Sequence, residues 1–111
     1  MNIQIDYSLE KNEDNFLLKL QGGDFWELNI RLTRAEISSL TEIRNTDWTA
    51  RKTIKAGKAA NSSVFWTAEN ETATIMIGHD DETWDFAVCI STMQIEKIVK
   101  EVAKNDNLIN V

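Results

Sequence analysis

The chain has no proline, one cysteine, one histidine and four glycines in 111 residues. Each scarcity removes an option. Without proline there is no rigid linker and no breaker to mark a domain boundary. With only Cys89 there can be no intramolecular disulfide, which fits a reducing compartment. Cys89 falls within the apolar run Phe86 to Ile90 and is expected to be buried, since a thiol there packs as a small hydrophobe. The one histidine, His79, cannot build a closed structural zinc site by itself, so the fold is expected to form without metal or any other cofactor. It is also the sole imidazole that could activate a nucleophile. Cys89 lies ten residues further along a predicted strand, some ~30 Å away at ~3.3 Å per residue, so a Cys–His pair is not expected.

Further absences concern whole classes of function. No Gly-x-x-x-x-Gly-Lys phosphate loop, Gly-x-Gly-x-x-Gly dinucleotide turn or Cys-x-x-Cys pair occurs. No apolar run approaches the ~20 residues that span a bilayer. The opening residues Met1-Asn2-Ile3-Gln4-Ile5-Asp6-Tyr7 lack the basic and apolar regions of a secretory signal, so a cytoplasmic location is expected. Basic residues are few: 12 Lys and Arg against 18 Asp and Glu give a net charge of -6. That balance argues against nucleic acid and anionic membrane as partners, both being polyanions. A basic partner complements it, although a charge of this size also serves simply to keep a small domain soluble.

What is present reads as one domain over residues 1–111, long enough to bury roughly two-thirds of its unfolded surface. Ile3, Ile5 and Tyr7, then Phe16, Leu18 and Leu20, then Trp26, Leu28, Ile30 and Leu32 alternate with polar residues, the period of half-buried strands. Residues 8–14 read as a loop. The turn Gln21-Gly22-Gly23-Asp24 supplies glycines for a tight hairpin between the second and third strands. Thr33-Arg34-Ala35-Glu36 is a capping box that starts a short helix with Ile37, Leu40 and Ile43 on its inner face, fading at Asn45-Thr46-Asp47.

Residues 51–57 are either a basic loop or an edge strand guarded by lysines, and the strand is the reading adopted. Three clearer strands follow at Ser63 to Ala68, Thr72 to Ile77 and Glu82 to Ile90, linked by turns too short for parallel crossovers. In the last, Trp84, Phe86, Val88 and Ile90 should share one face. Ser91-Thr92-Met93-Gln94 is a second capping box, and Ile95, Ile98, Val99 and Val102 give the closing helix its apolar stripe. The expected fold class is α+β, a largely antiparallel sheet of about six to seven strands with two helices packed on one face.

Chemistry-bearing residues concentrate in one region. From Glu69 to Asp85 there are six acids, Glu69, Glu71, Asp80, Asp81, Glu82 and Asp85, with no Lys or Arg between them. His79-Asp80-Asp81-Glu82 offers oxygen ligands and an imidazole to a divalent metal, or paired carboxylates to acid–base work, but its spacing matches no calcium loop and a Gly- and Asp-rich turn is ordinary hairpin chemistry. The acids equally form a negative surface for a protein partner. Four tryptophans are many for this length. Trp26, Trp66 and Trp84 read as inward-facing, whereas Trp48 follows a loop and Phe65 points opposite to Trp66, onto the face expected to be wetter. Trp48 and Phe65 beside acids are therefore candidate hot spots.

The run Ser63-Val64-Phe65-Trp66-Thr67, followed by Ile75-Met76-Ile77-Gly78-His79-Asp80-Asp81-Glu82-Thr83-Trp84-Asp85-Phe86-Ala87-Val88, resembles small bacterial immunity proteins of contact-dependent growth inhibition and related polymorphic toxin systems. The likeness covers roughly Arg51 to Lys104, while the first third of the chain carries none. It implies a non-catalytic cytoplasmic protein that binds and neutralises the toxic C-terminal domain of a cognate effector, often a nuclease and therefore commonly basic. The candidate partner-binding residues are Glu69, Glu71, Asp80, Asp81, Glu82, Asp85, Phe65 and Trp48. The alternative is a small metal-dependent enzyme or ligand-binding domain centred on His79 and its neighbouring acids.

Overall fold

In a computed structural model, residues 3–9, 15–80 and 82–109 are described, with side chains as far as Lys104. Seven strands form one antiparallel sheet whose spatial order follows the chain: β1 Ile3–Leu9, β2 Asn15–Gly22, β3 Trp26–Thr33, β4 Ile54–Ala59, β5 Ser62–Glu69, β6 Thr72–Gly78 and β7 Trp84–Ser91. Helix α1, Arg34–Ser39, continues as a three-ten turn over Leu40–Asn45 between β3 and β4, and helix α2, Thr92–Ile109, follows β7. The α+β fold with two helices is thus as the periodicity indicates. Ser8 and Leu9 extend β1 rather than opening a loop; residues 10–14 lie outside the described residues. The strand expected at 51–57 runs from Ile54 to Ala59, and it is an interior strand between β3 and β5, not an edge.

The first capping box forms in full, and at the second the Ser91 hydroxyl caps one amide earlier than the box predicts. Thr33 Oγ1 accepts from the Glu36 amide while Glu36 Oε1 accepts from the Thr33 amide, satisfying two donors that the first turn of α1 cannot pair internally. At α2, Ser91 Oγ accepts from Met93 N and Gln94 Oε1 accepts from Ser91 N. The second carboxylate oxygen of Glu36 reaches further and accepts from Gly57 N at 2.8 Å. Gly57 sits at a bulge in β4 with φ +87, and a Cβ there would lie 2.8 Å from Leu32 Cγ and 2.9 Å from Arg31 O, so the position requires glycine. β3 and β4 meet at a single ladder position, Arg31 opposite Lys58. The Glu36 carboxylate therefore ties the helical crossover to the strand at the thinnest seam of the sheet.

The core lies between the sheet and the helices. Leu18, Leu20, Ile30, Leu32, Val64, Trp66 and Ile75 from the strands meet Ile37, Leu40, Ile43, Ile95 and Val102, all nearly or fully buried. The Trp66 indole donates to Ala56 O, so this bulky buried ring keeps no orphan donor. The sheet is strongly coiled. Four strand spacings would separate β3 from β7 by ~19 Å in a flat sheet, yet the rings of Trp26 and Phe86 meet edge-on at 6.1 Å. α2 closes the open side of the curl, where Gln94 Nε2 donates to Ile3 O of β1.

Candidate functional site

The face of β5 to β7 that points away from this core carries the candidate site. β5 is buried on both sides: Phe65 and Thr67 are buried, as Val64 and Trp66 are. On β6, Met76 is buried on that same outer side. Part of the cover comes from the chain between the three-ten turn and β4. Asp47 and Lys52 exchange backbone hydrogen bonds, pinching off a small loop that Arg51 closes at φ +57. Trp48 at its tip shares a depression with Thr67, Glu69, Met76, Trp84 and Ala87. The Arg51 guanidinium stacks on the Trp48 ring at 4.1 Å and pairs with Glu82 Oε1 at 3.3 Å. One loop is thereby fastened to the turn that precedes β7.

Phe65 is therefore not the exposed hot spot expected from its outward parity: it is only 8% exposed, on an outer face that is itself partly covered. Trp84 also departs from expectation. Ile77 pairs with Phe86 but Gly78 pairs with Trp84, so Asp85 is an extra residue and β7 carries a bulge. The bulge breaks the alternation that would have grouped Trp84 with Phe86, and Trp84 instead lines the outer depression with Met76 and Ala87. Gly78 permits it, since a Cβ there would stand 2.4 Å from Trp84 Cα. Trp84 is 44% and Phe86 41% exposed, and the whole run Trp84 to Ala87 is open to solvent on this edge strand. Cys89 is exposed too, against the expectation of burial, because it points to the uncovered side of β7; its sulfur lies 3.5 Å from Thr74 Oγ1.

The six acids are dispersed rather than pooled. Glu71 stands at the far end of β6, where Arg44 grips both its oxygens at 3.1 Å and also holds Glu96. Arg44 keeps the carboxyls of Glu71 and Glu96 below the usual carboxylate range, and its own pKa is raised in return. Asp80 folds inward on its turn, accepting from Glu82 N, Thr83 N and Thr83 Oγ1, and these bonds, the Glu82 amide foremost, lower its pKa. Asp81 lies outside the described residues. Glu69 lines the outer depression, Glu82 holds Arg51 at the same surface, and Asp85 is exposed beside Trp84. The structure thus gathers Trp48, Glu69 and Glu82 with Trp84, and separates Glu71 from them.

Among the described residues, no three His, Cys, Asp or Glu side chains converge as a metal site. A hollow of about 570 Å³ runs along β1 and α2 beside Asp6, Lys97 and Glu101, and His79 does not line it. Among the described residues no helix is long and apolar enough to cross a membrane. The sequence reading missed Trp84, Thr67 and Met76 as members of the outer site. Gly78 before the acidic turn and the Trp48-x-x-Arg51 spacing are the signals that point to them. Comparison with known proteins finds no match, neither to a family model, nor to a curated protein, nor to a solved structure.

Proposed function

We propose that this chain is a cytoplasmic binding module of the immunity type, which neutralises a basic toxin domain by occupying its surface and performs no chemistry of its own. The observation that carries the reading is the outer face of β5 to β7, where Trp48 and the half-exposed Trp84 flank a shallow depression lined by Glu69, with Glu82 held close by through Arg51 on the Trp48 ring and Asp85 exposed next to Trp84 in the chain. Tryptophan is the side chain most enriched at interface hot spots, and a surrounding acidic rim accelerates association with a basic protein. The resemblance of Ser63 to Val88 to immunity proteins supports the same class of partner, and a net charge of -6 suits a surface built to hold a polyanion-binding domain.

The test is co-purification with the variable C-terminal domain of a large secreted effector encoded beside this chain's gene, followed by stopped-flow association across a salt series. A complex whose association slows steeply with salt, and which is weakened by charge reversal at Glu69, Glu82 and Asp85, is the expected result. Unchanged rate and affinity in that triple variant would remove this face as the binding site.

A further inference from the structure

We infer that the depression on the outer face is a receptor for a single arginine side chain presented by the basic partner. The inference rests on the reading above for the face and the sign of the partner, and it adds the group that is recognised. The depression encloses about 170 Å³, well below the ~300–1,000 Å³ of small-molecule sites, so it has the scale of one inserted side chain. Trp48, Met76, Trp84 and Ala87 make its walls apolar, as the methylene stem of a long cationic residue requires. Glu69 stands at the rim to meet a cationic head.

Independently of these acids, the floor holds an unmet polar group. Thr67 is 4% exposed, it lines the depression, and its buried Oγ1 has no hydrogen-bond partner among the described residues. A buried hydroxyl left unsatisfied costs about 1–3 kcal/mol by general experience, so an incoming N–H that it can accept gains more than an exposed contact would. Guanidinium suits this site better than ammonium because it is planar, stacks on indole and donates along several in-plane directions. The chain already uses that chemistry next door: Arg51 lies 4.1 Å above the Trp48 ring with Glu82 holding its charge. An arginine arriving from the partner would repeat the arrangement between Trp84 and Glu69.

The test uses the full chain and N-acetyl-L-arginine amide, titrated to tens of millimolar while the indole N–H and Thr67 resonances are followed by NMR. Expected is a saturable shift confined to Trp48, Trp84, Thr67 and Glu69, and about a fivefold weaker affinity in Thr67→Val, the loss of one ordinary hydrogen bond. Thr67→Ser, which keeps the hydroxyl, should bind as the parent does. Because Thr67→Val removes an unpartnered group, it should melt no lower than the parent, which keeps folding out of the result. Equal binding of the norleucine analogue, shifts spread over all exposed acids, or an undiminished affinity in Thr67→Val would each overturn the assignment. Equal binding of the lysine analogue would replace it with a site for charge alone. Failure of the titration while the chain still captures a basic toxin domain defeats this inference and leaves the proposed function standing; failure of capture with a localised arginine shift does the reverse.

Discussion

Replacing Glu36 should damage the fold more than any other exchange of a partly exposed acid. Its carboxylate accepts from Thr33 N and from Gly57 N, both at 2.8 Å, so Glu36→Ala removes a helix cap and the side-chain tie across the β3–β4 seam together. Hydrogen bonds to a charged group contribute about 1.5–3 kcal/mol each, and partial exposure favours the lower end, giving about 3 kcal/mol for the pair. Against a total stability of about 5–15 kcal/mol that is a large fraction. At about 4 °C per kcal/mol for a domain of this size, Tm should fall by about 12 °C. Glu36→Gln keeps one acceptor and turns an N–H₂ toward the other amide, so it should cost about 2 kcal/mol. The pH dependence has a definite sign. Burial pushes the Glu36 carboxyl up, but the amides of Thr33 and Gly57 outweigh it and hold the folded value below the ordinary 4.5. Its contribution is therefore complete above pH 4.5 and is lost as pH falls through the lower folded value, so the gap between parent and Glu36→Gln should close in acid. Urea unfolding at pH 7 and pH 3 reads both effects. A loss under ~1 kcal/mol at pH 7 for Glu36→Ala, or a gap that stays constant at pH 3, would refute the idea that one carboxylate fastens the seam.

Gly57→Ala should cost about 2 kcal/mol or more, from a positive φ and a Cβ forced against Leu32 and the Arg31 carbonyl; thermal melting checks it, and a neutral result would mean the β4 bulge relaxes freely. Arg44→Met should raise the titration midpoints of Glu71 and Glu96 toward ordinary values, as followed by carboxyl NMR, while stability changes little at high salt. Both carboxyls are depressed in the fold, so whatever they contribute is present at neutral pH and is lost on acidification. Cys89 should react stoichiometrically with a thiol reagent in the native protein, and protection until unfolding would contradict its exposure on β7.

Period-two alternation located most strands to within a residue or two, and the two capping boxes located both helix starts, because these signals are carried by neighbours in the chain. What the residues did not disclose depends on contacts between distant segments. Phe65 and Thr67 look half-wet by parity, yet the Trp48 loop, nearly twenty residues upstream, shares their side of the sheet. The run from Glu69 to Asp85 has no Lys or Arg of its own, but Arg44 and Arg51 return to it from elsewhere and pair with Glu71 and Glu82. The candidate site suffered most, since an extra residue opposite Gly78 decides which face receives Trp84, and a bulge leaves no mark in simple alternation.

That extra residue gives β7 one position at which the strand tolerates a change of length. Removing Asp85 alone would return the strand to regular pairing from Gly78 onward, and the preceding tryptophan, now adjacent to Phe86, would still face the outer surface, because neighbouring strand residues point to opposite sides. The protein would keep its seven strands, its composition almost unchanged, and its exposed aromatic wall. A lineage of such chains could therefore shed the bulge through a single-codon deletion with the outer surface and the hydrophobic core both intact, whereas the same length change in the regular part of β7 would turn every side chain beyond it to the other face.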